Sequence, residues 1–384
     1  MANLSPEIGR SEPTLVEKAL SISWGLVILI CLVVGLGIGV LYSAADGNME
    51  PWAIKQTIRF AIALVPMLAV ALLNIRYWLR ASYWIYTTAL VLVVAVDLRG
   101  FVGMGAQRWI DLGFIQLQPS ELMNVALIMA LARYFHGLAN EDVNRIRYLI
   151  APGLMVLVPA ALILKQPDLG TAIVLLLCSS VLFFLGGVRL RLFMLIAVAA
   201  GGTIPLAWHF LRDYQRNRIY TFLDPDSDPL GAGYHILQSK IALGSGGLFG
   251  KGFLLGTQSH LNFLPEKQTD FIFTTLAEEF GFAGGIVLLS LYLLIIAYCF
   301  SIALRSANHF GRLLGLGIAT NFFLYVFINT AMVMGMIPVV GVPLPLISYG
   351  GTAMLTAMFG FGLLLNICVH REVRLNRSGE SQPS

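Results

Sequence analysis

Apolar residues in this chain come in long unbroken runs, without the strict alternation of strands or the heptads of coiled coils. A run of about 20 mainly apolar residues is long enough to cross a hydrocarbon core as a helix. Such runs fall near 21–42, 53–73, 77–96, 118–135, 148–165, 169–186, 190–211, 270–303, 312–336 and 345–369. Short polar stretches separate them, with one exception at 212–269. The pattern predicts an all-α integral membrane protein of about ten transmembrane helices. A tail at 1–20 precedes the polytopic domain of 21–370, a second tail follows at 371–384, and a large extracytoplasmic loop joins helices 7 and 8. The first apolar run is too long for a signal-peptide core, so it is expected to stay as an uncleaved span.

Composition agrees. Of 384 residues 57% are hydrophobic and 12% charged, where a soluble domain carries roughly 25% charged residues; mean hydropathy is +0.78. The net charge of +4 comes with neither zinc-finger spacing nor a lysine-rich tail, so no nucleic-acid partner is expected. Cys31, Cys178, Cys299 and Cys368 lie far apart within apolar runs, as small packing residues rather than disulfide or metal ligands. An even number of spans puts both termini on one side. With the termini inside, fourteen Lys and Arg lie in inner segments and eleven in outer ones, six of the latter in the long loop. The positive-inside rule therefore orients the termini to the cytoplasm.

Charged residues near the outer ends of the spans are the candidates for chemistry. The long loop alternates turn formers with Arg212, Arg216, Arg218, Lys240, Lys251 and Lys267. Flexible amides plus cations suit a phosphate cradle, and equally a basic loop resting on anionic headgroups. Its GGLFGKG stretch is not a nucleotide loop: Ser245 and Gly252 stand where that motif needs a glycine and a hydroxyl. The loop ends in PEKQTDFIFTTLAEEFG (265–281), with Glu266, Asp270, Glu278 and Glu279. A straight helix from Asp270 would be about 50 Å long, so two or three turns are expected to project above the hydrocarbon, with Asp270 and Glu278 near one face. Asp270 reads either as a helix cap, a role Thr269 also fits, or as a reagent. Glu121, following Pro119 and Ser120, reads as a first-turn acid or a functional intramembrane carboxylate. Trp109 beside Arg108 reads as an interface anchor or a site residue. Lys165 and Asp168 occupy the turn between the fifth and sixth spans.

Several blocks occur in one order: GAQRWIDLGFIQLQPSEL (105–122), KQPDLGTAIV (165–174), DPLGAGYHILQSKIALGSGGLFGKG (228–252), GTQSHLNFLPEKQTDFIF (256–273) and NTAMVMGMIPVVGVPLPLISYGGTA (329–353). They resemble the SEDS family (shape, elongation, division and sporulation) over the whole membrane region. The GTQ block and short tails are more similar to the rod-shape branch, RodA, than to the division branch, FtsW. The resemblance implies a peptidoglycan glycosyltransferase that polymerises lipid II at the outer face of the bacterial inner membrane. It further implies a class B penicillin-binding transpeptidase as partner, within the elongation machinery. Asp270 matches the family's essential carboxylate. Substrate contacts are expected from Arg108, Trp109, Glu121, Lys165, Asp168, Arg212, Arg216, Arg218, Lys240, Lys251, Glu266 and Glu278. The leaving pyrophosphate would be stabilised by basic residues among these or by a divalent cation; no cofactor is otherwise implied.

One position departs from the family pattern: Asn124 stands where a lysine follows the PSE block. Glu121 is then expected to be protonated or to find another cation, such as Lys165. The competing reading is a lipid II flippase, which needs charges along a path across the membrane. The enzyme needs them gathered on the outer side.

Overall fold

The computed structural model describes residues 14–103, 106–111, 116–139, 141–195, 198, 201–202, 213–225, 232–261 and 266–375. Among these, helices occupy nine of the ten expected spans: α2 (Trp24–Ala44), α3 (Ala53–Leu72), α4 (Ile75–Arg99), α5 (Pro119–Gly137), α6 (Ile146–Lys165), α7 (Leu169–Leu185), α11 (Ile272–Leu304), α12 (His309–Val333) and α13 (Gly351–Val369). The remaining span, 190–211, lies largely outside the described residues. A short helix, α1 (Leu15–Leu20), precedes them, and the long loop carries α8 (Asp213–Leu223), α9 (Ala232–Ser245) and α10 (Thr257–His260). Seven of these helices are long and apolar enough to cross a membrane.

The central helices are α5 and α12. Nearly every α5 residue from Pro119 to Ala132 is buried, and α12 packs on α5, α7, α11 and α13. Peripheral helices turn large apolar side chains outward, such as Ile28, Leu32 and Leu36 on α2 and Ile58, Ile62 and Val65 on α3. Such a surface suits lipid as its solvent. Asn366 of α13 donates to the carbonyls of Val70 and Ala71 at the end of α3, which have no partners inside their own helix.

Two features depart from the expected chain path. Three short strands, β1 (Phe101–Gly103), β2 (Ala106–Asp111) and β3 (Gln116–Leu117), form a small antiparallel sheet, which holds Arg108 and Trp109 on its middle strand. More consequentially, α11 is not one straight rod. Gly281 takes φ 65 and ψ −162, a region open essentially to glycine alone. The first segment, expected to carry an exposed face, is enclosed by protein: Ile272 through Glu279 are all buried.

The glycines of the long loop make that break possible. Lys251 and Gly252 donate backbone N–H bonds to the carbonyls of Glu278 and Glu279, both at 3.0 Å. Phe282 and Ala283 donate to Gly247 and Leu248 at 2.9 and 3.0 Å. A Cβ on Gly281 would meet the Leu248 carbonyl at 2.7 Å, and one on Gly250 would strike the carbonyl of Glu279. The backbone groups freed by the break are thus satisfied by the loop. These loop amides serve the helix break, not a phosphate cradle.

Candidate active site

The segment Gln268–Asp270 is fixed through three consecutive carbonyls. Tyr349 N–H donates to Gln268 at 2.8 Å, the Ser348 hydroxyl to Thr269 at 2.6 Å, and the Asn329 amide to Asp270 at 2.9 Å. Asn329 is fully buried and also donates to Val342 at 2.7 Å. It therefore binds the strap 334–350 to the Asp270 segment. Ser348 Oγ in turn accepts from Leu344 N–H at 2.8 Å, and Gln56 of α3 donates to the Ser348 carbonyl at 3.0 Å. Gly341, at φ 73, lies where an added Cβ would sit 3.3 Å from Asp270 Oδ2. The strap's glycine leaves room for the carboxylate.

Neither cap role is used. The N-cap of α11 is Phe271, with no side-chain cap bond, and the Thr269 hydroxyl donates to Glu266 Oε2 at 2.9 Å. No hydrogen bond reaches the Asp270 carboxylate among the described residues, so it is held by its backbone and left open for chemistry. Burial pushes its pKa up to about 6; Glu266 and Asp168 push the same way, while Arg108 and Arg218 pull it down. The structure thus gathers Asp270, Glu266, Arg108, Asp168 and Arg218 from four separate stretches of sequence.

The supports of this group are specific. Arg108, on β2, donates from Nε to the Gln166 carbonyl at 3.2 Å and from its terminal nitrogen to that of Pro167. It is thereby bound to the turn that carries Asp168. Asp168 caps α7 through Thr171 N–H at 3.3 Å and accepts from Gln118 and Ser120 at 3.0 and 3.1 Å. Both donors lie in the QPSE stretch that opens α5. Buried and multiply bonded, Asp168 braces the pocket.

Other candidates lie elsewhere. Glu278 is expected near Asp270 but is bound instead to the long loop: Lys251 Nζ at 2.7 Å, Thr257 at 3.1 Å and Gln258 N–H at 2.9 Å. The helix begins only at Ile272, so helical spacing does not relate Asp270 to Glu278, and burial of Ile272–Glu279 removes the exposed face they were expected to share. Lys251 is thus tied to Glu278. Glu279 accepts from Ser43 of α2. Lys165 pairs with Asp97 at 2.5 Å, not with Glu121, whose hydrogen-bonding neighbour is Thr352. Trp109 pairs across the sheet with Phe101. Lys240 lies over Gly335, and Arg216 shares α8 with Arg218. Arg212 lies outside the described residues. Lys267 is buried beneath Trp52, 5.9 Å from its ring centre, and burial lowers its pKa while Asp46 raises it. Among the described residues no three metal-ligating side chains converge.

The positioning roles of Asn329, Ser348 and Gly341 escape a reading of the sequence as charged candidates. Their trace is the N…G…SYGG spacing of 329–351, polar and glycine residues retained within apolar surroundings.

A carboxylate with a pKa near neutrality, in the field of two arginines at one end of a membrane bundle, suits proton abstraction beside an anionic leaving group. Comparison with known proteins agrees on the class. Residues 17–373 match the FtsW/RodA/SpoVE family, described as cell cycle protein, and the chain belongs to that family. It is 44% identical over 354 residues to the peptidoglycan glycosyltransferase MrdB of Escherichia coli K12, covering 91% of this chain and 93% of the relative. It is 31% identical to the peptidoglycan glycosyltransferase RodA of Treponema pallidum, covering 88% and 96%. Its fold is similar to a chain in a structure titled for polymerization and crosslinking by a peptidoglycan synthase complex, with TM-score 0.80, 32% identity and coverage of 92% and 99%. The crystal structure of Thermus thermophilus RodA matches with TM-score 0.69 at 30% identity, covering 92% and 98%.

Proposed function

We infer that this chain is a peptidoglycan glycosyltransferase that polymerises lipid II at the outer face of the bacterial inner membrane, for elongation and rod shape. The observation that carries the mechanism is the open Asp270 carboxylate, its segment held by three backbone bonds and its charge favoured by Arg108 and Arg218. Asp270 takes the proton from the 4-hydroxyl of the acceptor GlcNAc as that oxygen attacks C1 of the donor MurNAc. The bond from C1 to the pyrophosphate oxygen breaks, and undecaprenyl pyrophosphate leaves with the electron pair. Arg108 and Arg218 oppose the charge that grows on it. Burial, with Glu266 and Asp168 adding to it, raises the base to a pKa suited to neutral operation. Attack opposite the leaving group inverts the anomeric centre.

The site residues Arg108, Asp168, Arg218, Asp270 and Glu266 collect at one end of the bundle. Arg145, Arg147, Arg189, Arg305 and Arg371 mark the other, and the positive-inside rule makes that end cytoplasmic. Charges gathered outside favour a polymerase over a flippase. The partner is a class B penicillin-binding transpeptidase, a reading supported by the peptidoglycan synthase complex above. The test is purified protein given lipid II in detergent, with and without the transpeptidase. Glycan strands support the reading. Their absence in both, with lipid II still crossing vesicle leaflets, would favour the flippase.

The base works only when deprotonated, so kcat/KM is expected to rise with pH through about 6 and level above it. Arg108→Ala removes a charge that lowers the pKa and should move the limb to higher pH. Glu266→Gln removes one that raises it and should move the limb lower. Rate profiles of the three proteins check both signs.

Asn329→Ala leaves two carbonyls, those of Asp270 and Val342, without their donor. An expected stability loss of about 1–3 kcal/mol follows. Misplacement of Asp270 should lower kcat by roughly a hundredfold. Unfolding and polymerisation measured on one preparation separate the two effects.

A further inference from the structure

At the end of the bundle remote from Asp270, α2 begins and α11 and α13 end. A cavity of about 470 Å³ lies among these three helix ends, within the range of about 300–1,000 Å³ usual for small-molecule sites. Its α11 wall is Leu294, Ala297, Tyr298, Ser301, Ile302 and Arg305. These recur every three or four residues, so they form one stripe of the helix, about 16 Å from first to last. The stripe passes from hydrocarbon to charge. Leu294 and Tyr298 are exposed on the surface that lipid covers, so the apolar part of the cavity borders acyl chains.

The charged part is built by all three helices. Arg305 follows the last residue of α11, Arg371 lies two residues beyond α13, and both line the cavity. The Cys368 thiol of α13 donates to the Ser21 carbonyl at 3.6 Å, which fixes the end of α13 beside the start of α2. The Tyr298 hydroxyl sits over the first turn of α2, where a Cβ added to Gly25 would lie 2.9 Å from it. Ser23, the N-cap of α2, makes no side-chain cap bond. Among the described residues the hydroxyls of Ser23, Tyr298 and Ser301 make no hydrogen bond, and Arg305 pairs with no carboxylate. Arg371 Nε stands 4.0 Å from Glu372, an exposed pair of little weight.

Helix dipoles alone favour two cations at helix C-termini. They require neither a cavity nor three uncommitted hydroxyls lining it. The complement to this arrangement is an anion with several acceptor oxygens, joined to hydrocarbon. A phosphate group supplies the first, through charge-assisted bonds to guanidinium, and a phospholipid supplies both. Basic pockets between transmembrane helices suit anionic headgroups, and two arginines leave a positive charge that a zwitterionic headgroup does not neutralise.

We propose that this cavity binds the headgroup of an anionic phospholipid, its phosphate ion-paired with Arg305 and Arg371 and one acyl chain laid along Leu294 and Tyr298. The hydroxyls of Ser23 and Ser301 donate to the remaining phosphate oxygens. The site is separate from Asp270 and does not rest on the polymerase reading.

The test is binding of radiolabelled dioleoyl phosphatidylglycerol to the delipidated full-length protein in detergent, with empty micelles as the blank. One saturable site per chain is expected, with dioleoyl phosphatidylcholine bound at least about tenfold more weakly. Arg305→Gln and Arg371→Gln should each weaken binding about fivefold. Ser301→Phe keeps both charges but fills the cavity, and should weaken binding at least about tenfold. The double variant Arg147→Gln, Arg189→Gln removes two cations from the same end of the bundle, outside the cavity, and should bind as wild type does. Free glycerol 3-phosphate lacks the acyl chains and should displace the lipid at least about a hundredfold less well than unlabelled phosphatidylglycerol. Melting temperatures identify the folded variants, and charge and volume are tested by different ones. Several results would overturn the proposal: no saturable uptake, equal affinity for the two lipids, undiminished binding in the folded cavity variants, or loss of binding in the control. Displacement by glycerol 3-phosphate as effective as by lipid would overturn it too, by showing a site for soluble phosphate.

Discussion

Gly281→Ala is expected to destabilise the protein by at least about 2 kcal/mol, although it adds one methyl group in a chain dominated by apolar packing. Two penalties combine. The backbone at Gly281 has φ 65 and ψ −162, where a Cβ is strained in any surroundings. The same Cβ would lie 2.7 Å from the carbonyl of Leu248, a backbone group with no rotamer to swing away. Relief requires either straightening α11 or withdrawing the 246–252 loop. Straightening swings Ile272–Phe280 out of the bundle, and the N-terminal end of that segment carries Asp270. Withdrawal breaks the four backbone bonds that join the loop to residues 278–283. Activity should fall with stability. Thermal unfolding in detergent checks the effect, with Gly244→Ala as control, since a Cβ there meets nothing within 4 Å. Equal melting temperatures for the two variants would show that the break is not a structural necessity.

The spans were legible because a helix in lipid announces itself by length alone: about 20 apolar residues suffice whatever their neighbours. The break in α11 was not, because the apolar run continues through Gly281 and hydropathy does not register φ. Its signature is divided between two distant places, Gly281 on the helix and Gly246 to Gly252 in the loop, and only their contact gives it meaning. The sheet at 101–117 was hidden for another reason. Its strands are two to six residues long and interrupted by glycines, with no sustained alternation to read.

The site divides in the same way. Asp270 stood out as one carboxylate among four at the start of a span, and the family resemblance selected it. Its companions Arg108, Asp168 and Arg218 come from three other stretches, and nothing local in the sequence says they converge. The remaining acids look alike in sequence yet have separate duties. Glu278 anchors Lys251 and α10, Glu279 fastens α11 to Ser43 of α2, and Glu266 accepts from Thr269. Helical spacing predicted a face shared by Asp270 and Glu278. The late start of α11 at Ile272 and the burial of the segment gave the acids different partners.

Asp270→Asn is expected to leave the fold intact and remove polymerisation. The backbone carbonyl that Asn329 holds is unchanged by the substitution, and the carboxylate makes no cap bond whose loss would weaken α11. Asparagine is nearly isosteric and adds no charge to a pocket where Glu266 and Asp168 already oppose the ionised form. Melting temperature should therefore change little. Asparagine cannot accept the proton of the acceptor hydroxyl at neutral pH, and loss of a general base typically lowers rates by 10²- to 10⁴-fold. Thr269→Ala is the matched control: it removes the hydroxyl bond to Glu266 and leaves the base in place. The decisive measurement is the yield of glycan strands from lipid II in detergent, where no membrane has to be crossed, for wild type, Thr269→Ala and Asp270→Asn of equal melting temperature with the transpeptidase partner present. The expected result is substantial polymer from the first two and at least about a hundredfold less from Asp270→Asn. Near-normal strands from Asp270→Asn would contradict the assignment of Asp270 as the base.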